Sequence, residues 1–576
     1  MANFFFDAHF HPTLKKHFAN PNEQPDPGTL SMNNPWKTAL RRDFLSGFRL
    51  ISIRKCLIKP LVENSLVSQS SLSQLRDSNY KLSIVVLFTP DKGLLELITK
   101  NKGFMDIVKS GKFKNLLIDT QFLDLVETND AFSVLKKDLA FLEMSDITGD
   151  RVIKLNKRAE FTPTPNDLPR IVFSIEGLHC LRSDLAEIDE EKIVEDILNN
   201  LDELLTHQNK VIYVNLTHID NGNTIFANQA YAVDAFRLGG FDEKHLRPIG
   251  NGFTPLGQRL VAGLANRLVI PDVKHMSWKA RQQFYGFVQA NFPNLPIICS
   301  HSGFTGCWFN KHGESIRDYI LSSVIEGKQR KITLAKPTKT TIEGVGFNAS
   351  SINLFNEDIE AIFKSNGLIG IALDQRVLGY SEVQLLGNEV VSDNIFLKEV
   401  GGLELKLVTD TEFISLNEIG SISPYSAISS NNSRLIECIQ TEDITTQNST
   451  DIKNFFHPRH FYLHVVHAMQ IAHLTGTQQG GISGAEAAVR RMLTETLCIG
   501  SDFDGLIDGL DCCPDTGAIA SFRAKFVDEF GDFMEEAGVS LPGNLTIDFV
   551  AERIFYKNGR DFVLRRLDAM NALSIV

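Results

Sequence analysis

Along this chain, short runs of Val, Ile, Leu and Phe recur without polar alternation, the pattern of parallel strands covered on both faces. Eight such runs stand out: Asn3–Phe6, Leu82–Phe88, Arg170–Ile175, Lys210–Leu216, Leu268–Val273, Pro296–Ser300, Leu368–Leu373 and Leu497–Gly500. Between them, apolar residues return at three and four positions, as in Asp130–Met144 and Glu191–Leu205, which predicts helices. Eight strands alternating with helices predict a (β/α)8 TIM-type barrel with long loop insertions.

The spacing is uneven, and the excess length falls in three stretches, 12–40, 307–350 and 380–455. The first carries Asn20-Pro21-Asn22-Glu23-Gln24-Pro25-Asp26-Pro27-Gly28, a loop composition. The basic, Thr-rich stretch from Lys328 to Thr341 is expected to be a solvated loop. Leu386–Phe413 alternates in part and predicts a small β excursion, an ordered lid or subdomain, ahead of a Ser/Asn/Thr-rich stretch from Ser415 to Thr450. Barrels absorb such insertions, so residues 1–576 are expected to form one catalytic unit.

Composition narrows the function classes. A formal charge of −12 disfavours nucleic acid as a partner, because phosphate binding draws on clustered Lys and Arg. Met1-Ala2-Asn3-Phe4-Phe5-Phe6 lacks a basic leader and is interrupted at once by Asp7 and His9, so it is expected to be a buried strand and not an export signal. No apolar stretch reaches the roughly 18 to 20 residues that span a bilayer, so no membrane association is expected. Eight cysteines in 576 residues make neither a disulfide framework nor a Cys-x-x-Cys pattern, which points to free thiols and a cytoplasmic, reducing location.

Side chains at the carboxyl ends of barrel strands converge on one mouth. Here those ends carry His9 and His11, Glu176, His218, His275, His301 and Asp502, after strands one, three, four, five, six and eight. Strict alternation places both rings of the His-x-His pair on one face. One His or Glu at a strand end is more often a hydrogen-bonded structural group than a ligand. Six such ends together are different, since buried imidazoles and carboxylates are costly without a cation to compensate them. Imidazole and carboxylate suit two divalent metal ions, Zn²⁺ first among them.

A competing set, His457, His460, His464, His467 and His473, lies on an expected helix before the eighth strand. The Glu of the zinc-protease helix motif is absent and barrel helices form the outer ring, so a structural or surface role is expected there. Asp508, Asp511, Cys512 and Cys513 are expected to be solvated loop residues.

At the strand-end residues the chain resembles the membrane (renal) dipeptidase family of the amidohydrolase superfamily. The resemblance rests on Asp7-Ala8-His9, Glu176-Gly177, Leu216-Thr217-His218, Gly252-Phe253-Thr254-Pro255-Leu256-Gly257, Asn266-Arg267-Leu268, Asp272-Val273-Lys274-His275-Met276-Ser277, Ser300-His301-Ser302 and Ile499-Gly500-Ser501-Asp502-Phe503-Asp504-Gly505, in the family's order. It implies a binuclear zinc-dependent hydrolase that cleaves a dipeptide-like amide with metal-activated hydroxide. In that reading His9 and His11 bind one metal, Glu176 bridges both, and His275 with His301 binds the second. His218 meets the substrate's carbonyl or tetrahedral oxygen, and Asp502 transfers the proton.

Two departures bear on specificity. The family's first strand has His-x-Asp where this chain has His11, which removes one negative charge from the first metal position. The family also places an Arg shortly before a segment like Asn353-Leu354-Phe355-Asn356-Glu357-Asp358, where this chain has Ser350-Ser351-Ile352. That Arg grips the dipeptide's carboxylate as a bidentate partner. Lactone, ester or cyclic-amide hydrolysis on the same centre therefore stands as an alternative, as does an inactive metal-binding scaffold for protein partners. The expected partner is a small-molecule or dipeptide-like substrate, with homo-oligomerisation open.

Overall fold

The computed structural model describes residues 3–14, 69–70, 72–100, 128–147, 153–219, 225–232, 242–311, 315–337, 345–380, 395–400, 403–420, 449–505 and 507–573, with isolated positions besides. The stretch 12–40 lies outside the described residues beyond Leu14.

Eight parallel strands form the barrel: β1 (Phe5–Phe10), β2 (Tyr80–Leu87), β3 (Arg170–Ile175), β4 (Val211–Asn215), β5 (Ile270–Asp272), β6 (Ile298–Ser302), β7 (Leu368–Ile371) and β8 (Leu497–Ile499). They are hydrogen-bonded in sequence order. The pairing Leu82↔Arg170 through Leu87↔Ile175 is regular, and Ile369↔Leu497 to Ile371↔Ile499 joins the last two strands. All eight expected strands are present. Two run further than the apolar runs predicted: β1 continues through His9 to Phe10 across a register shift between Asp7 and Phe10, and β6 continues through His301 to Ser302.

Closure comes from residues just beyond β8. Asp502 N donates to His9 O at 2.9 Å, His11 N to Phe503 O at 2.8 Å, and Ser501 N to the Asp7 carboxylate at 2.9 Å. Candidate chemistry and barrel closure are thus carried by the same two peptide segments.

The helices form where the periodicity predicts. Among them, α1 spans Ala131–Ile147 and α2 spans Glu190–Thr206. In α2, Asp189 accepts from the backbone N–H groups of Glu191 and Lys192, acids fill the first turn, and Ile193, Ile197, Leu201 and Leu204 form the buried stripe. Ser277, two residues after His275, caps α3 (Trp278–Asn291) by accepting from Ala280 N. Capping anchors the turn that carries His275 to a helix start. Helix α4 covers Asn356–Lys364, and α5 covers Ser449–Arg491 with a break at Gly480 and Gly481.

The insertions 307–350 and 380–455 meet in one antiparallel sheet. A hairpin of Ile320–Glu326 and Gln329–Ala335 pairs with Leu403–Ser415, which pairs in turn with Ile395–Val400. The expected β excursion is therefore present, and the solvated loop expected near Lys328 is corrected. Ile332, Leu334 and Ala335 of that stretch are buried, and Lys336 pairs with Asp410 at 2.9 Å. Arg330 and Lys331 put basic residues on both faces of this strand, which blurs the alternation. A second small core of Trp278, Phe309, Ile316, Ile320, Phe355 and Tyr425, with neighbours, lies beneath this sheet. No helix among the described residues is long and apolar enough to cross a membrane.

Candidate metal centre

Glu176 immediately follows β3, where the chain must turn sharply. Gly177 makes that turn at φ 95°, and a Cβ there would sit 2.4 Å from His179 Nδ1. His275 and Asp502 also sit at positive φ, 68° and 60°, without being glycine. Such backbone is costly for L-residues and persists where the surroundings over-determine it. Here it directs both side chains into the barrel mouth.

All seven residues predicted from the strand ends meet there. Glu176 is the hub: its carboxylate lies 3.3 Å from His9 Nε2, 3.1 Å from His11 Nε2, 3.1 Å from His275 Nε2, and 3.7 Å from both His301 Nε2 and His218 Nε2. Asp502 lies at the outer edge, 3.5 Å from His11 Nε2, 3.8 Å from His9 Nε2 and 3.9 Å from His301 Nε2. It is the more exposed carboxylate, with 18% of its side-chain surface open against 3% for Glu176.

These distances test whether the residues suit a cation. Ligands about 2.0–2.1 Å from a tetrahedral Zn²⁺ stand roughly 3.3 Å from one another. His9 and His11 place their Nε2 atoms 3.2 Å apart, and each lies within 3.3 Å of a Glu176 oxygen. That triangle has the edge lengths of a coordination shell. Donors fall into three overlapping groups, each within 4.8 Å: His9, His11 and Glu176; Glu176, His218 and His275; and His9, His301 and Asp502. The expected second set, Glu176 with His275 and His301, is divided between the last two.

Electrostatics sort the imidazoles. Burial pushes His275 down to about 3, reinforced by the charge of His218, and holds His301 well below the usual range. Both rings are neutral, the form that coordinates metal. Burial would lower His11 as well, but Glu176 and Asp502 outweigh it and raise the ring to about 10. Burial would likewise raise Glu176, yet the imidazoles of His218, His9 and His11 hold it well below the carboxylate range. Without a cation, the carboxylates recruit a proton onto His11, the position a metal would replace.

His218 behaves differently. Burial lowers its pKa, but the buried Asp91, hydrogen-bonded to Nδ1, and Glu176 raise it overall. Nδ1 lies against the Asp91 carboxylate, and Nε2 faces Glu176 at 3.7 Å.

Sequence reasoning missed Asp91 and Tyr213. Tyr213 donates its hydroxyl to Ala8 O at 2.7 Å and stands 2.7 Å from His9 Nδ1. His9 Nδ1 must then be the donor to the phenol oxygen, leaving Nε2 bare for a metal. Tyr213 lies inside the apolar strand β4, where no motif distinguishes it from core residues, whereas Asp91 lies in the loop just after β2, a strand end that carried no candidate in the sequence reading.

The competing helix is structural. His457, His460, His464 and His467 are buried on α5 and His473 is exposed. His460 and His464 bond their own helix carbonyls at 2.8 and 2.7 Å, and His467 meets Asn356 at 2.6 Å. They join no candidate metal group among the described residues. The loop after Asp502 is less solvated than expected, since Cys513 is buried and Cys512 half-buried. The described cysteines, Cys180, Cys299, Cys307, Cys498, Cys512 and Cys513, are free thiols.

The fold and its clustered donors define a (β/α)8 barrel with a candidate metal centre at its carboxyl-terminal mouth. No family model and no curated protein matches the chain. Similar solved structures include the dipeptidase AC, a metallopeptidase of family M19, at 12% identity and a TM-score of 0.45, covering 98% of this chain and 99% of that one. A metallopeptidase from Rhodobacter sphaeroides, liganded with a phosphinate mimic of the dipeptide L-Ala-D-Ala, is similar at 12% identity and a TM-score of 0.44, covering 98% and 100%. The probable dipeptidase PvdM from Pseudomonas aeruginosa is similar at 13% identity and a TM-score of 0.40, covering 87% and 89%.

Proposed function

We propose that this protein is a metal-dependent hydrolase of the dipeptidase-like amidohydrolase type, cleaving an amide bond at the barrel mouth. The reading rests on the convergence of His9, His11, Glu176, His275 and His301 within coordination-shell distances, beside the outlying Asp502. Those five residues would hold two divalent cations, Zn²⁺ for preference. Such ions supply Lewis acidity, polarising the scissile carbonyl and bringing the pKa of water toward neutrality.

The chain's own groups do the rest. His218, whose Nδ1 is held by Asp91 and whose pKa Asp91 raises, donates from Nε2 to the oxygen on which negative charge develops. Asp502, open to solvent on one side, takes the proton of the attacking water and returns it to the leaving nitrogen. Glu176 stays ionised under the imidazoles around it and is not available as the proton carrier. Tyr213 fixes the His9 tautomer.

The test is Asp502→Asn in metal-replete protein, assayed on dipeptides, N-acyl amino acids and lactones with metal content measured in parallel. The expected result is unchanged metal stoichiometry with turnover reduced by about 10²- to 10⁴-fold. Near-normal turnover removes Asp502 from the mechanism. Two bound equivalents with no hydrolysis of any substrate by the unsubstituted protein removes the enzyme.

A further inference from the structure

Glu418 belongs to the insertion 380–455, on the helical turn Leu416–Ile419 that follows the strand Leu403–Ser415 of the antiparallel sheet. Its side chain nevertheless ends among barrel residues. It is 1% exposed, and its Oε1 accepts from Ser277 Oγ and from Gly252 N, both at 2.7 Å. Burying a carboxylate is costly, and an apolar side chain would fasten the inserted sheet to the barrel at least as well. What the acid adds is a fixed geometry for two loops that are distant in sequence.

Those two loops bracket His275, whose backbone at φ 68° persists only where its surroundings over-determine it. The His275 carbonyl accepts from Ala230 N at 2.7 Å, and Ser277 N donates to Asn228 O at 2.7 Å, so residues 228–230 hold the turn on both sides. Asn228 is held in its turn, donating its N–H to Gly252 O at 2.9 Å and accepting from Gly250 N through Oδ1 at 2.8 Å. Glu418 closes the circuit, because one oxygen grips the turn at Ser277 and the loop that supports it at Gly252. The Ser277 hydroxyl accepts from Ala280 N at 3.2 Å, which directs its proton to Glu418. Asn417 Nδ2 adds a bond to Ile249 O at 2.8 Å and seats the helical turn on the same loop.

We infer that Glu418 is a positioning residue for the metal centre, holding His275 Nε2 at its place 3.1 Å from Glu176 by way of Ser277 and the Asn228–Gly252 contact. The inference rests on the reading of His275 as a ligand of the second cation. The inserted sheet then supports the centre directly, through a carboxylate that never touches the metal.

Zn²⁺ titration of the full chain, with chelator competition and thermal melting alongside, tests this. The unsubstituted protein is expected to take two equivalents. Glu418→Ala is expected to keep the equivalent assigned to His9 and His11 and to weaken the other about 10- to 100-fold, the cost of removing an outer partner of a ligand. Glu418→Gln still accepts both bonds and is expected to stay within about threefold on both. Glu326→Gln loosens the same sheet at its contact with Arg247, without touching the His275 turn, and is expected to change neither equivalent. Ser277→Ala is expected to weaken the same equivalent as Glu418→Ala, and the double variant to match Glu418→Ala, because the two act along one path. Unchanged binding or equal loss of both equivalents in Glu418→Ala overturns the inference, as does the same selective loss in Glu326→Gln. If Glu418→Ala does not fold, Ser277→Ala decides, and an unaltered second equivalent there overturns it. Fewer than two equivalents on the unsubstituted protein would instead remove the two-metal reading, and this inference with it.

Discussion

Asp91→Asn isolates the group that most raises the His218 pKa. Asp91 is wholly buried and meets His218 Nδ1, while the other ring nitrogen faces Glu176 at 3.7 Å. Asparagine has nearly the same shape, so packing is preserved and the negative charge alone is lost. His218 then falls back toward the neutral ring that burial favours, and Nε2 becomes an uncharged donor or, in the other tautomer, no donor. Charge-assisted hydrogen bonds contribute about 1.5–3 kcal/mol against about 0.5–1.5 for neutral ones, so the loss is about 1–2 kcal/mol if a neutral donor remains. Loss of the donor altogether costs about 3–4 kcal/mol. The corresponding fall in kcat runs from about fivefold to about 10³-fold, with kcat/KM falling in step because the bond forms at the transition state. Steady-state kinetics across pH supply the assay. Because Asp91 raises the His218 pKa, activity that needs the imidazolium is lost as pH rises, and in Asp91→Asn that alkaline limb moves to lower pH. An unchanged limb with kcat within threefold of the original would refute the reasoning.

Tyr213→Phe removes the hydroxyl that orients His9 and is expected to weaken metal binding about 10- to 100-fold, measured by competition with a chelator; unchanged affinity would show that the ring needs no such support. Glu412, on the accessory sheet, accepts from Ser351 N, faces Arg281 and Tyr425, and is raised by burial to about 7 from 4.5. An acid whose folded pKa is raised contributes stability that is fully present below about 4.5 and lost as pH rises through about 7. Denaturant melts between pH 5 and pH 8 are expected to show that loss, and Glu412→Gln to remove it.

Most of the fold was legible because doubly covered strands leave uninterrupted apolar runs such as Ile171–Ile175, and because α2 repeats its buried residues at helical spacing. The candidate ligands were legible for a topological reason: a barrel gathers the residues at its strand ends, so position alone selected His218 and His301. Legibility failed where function depends on one partner in the third dimension. Nothing local marks Tyr213, which sits mid-strand in β4, while Asp91 stands after β2, the second strand end, which the sequence reading passed over. The accessory sheet was half-visible, since its strands near residues 332 and 412 pair across a long sequence separation that no local pattern reveals. Strand ends were misjudged where polar site residues continue the ladder, as in β1 beyond Phe6.

The barrel is sealed by hydrogen bonds between the peptide at His9 and His11 and the peptide at Asp502 and Phe503. Residues 9–11 and residues nearly five hundred positions later must therefore clasp before the candidate pocket exists. A nascent chain halted anywhere before that late segment has no assembled pocket, so the activity proposed above would be withheld until synthesis has passed it.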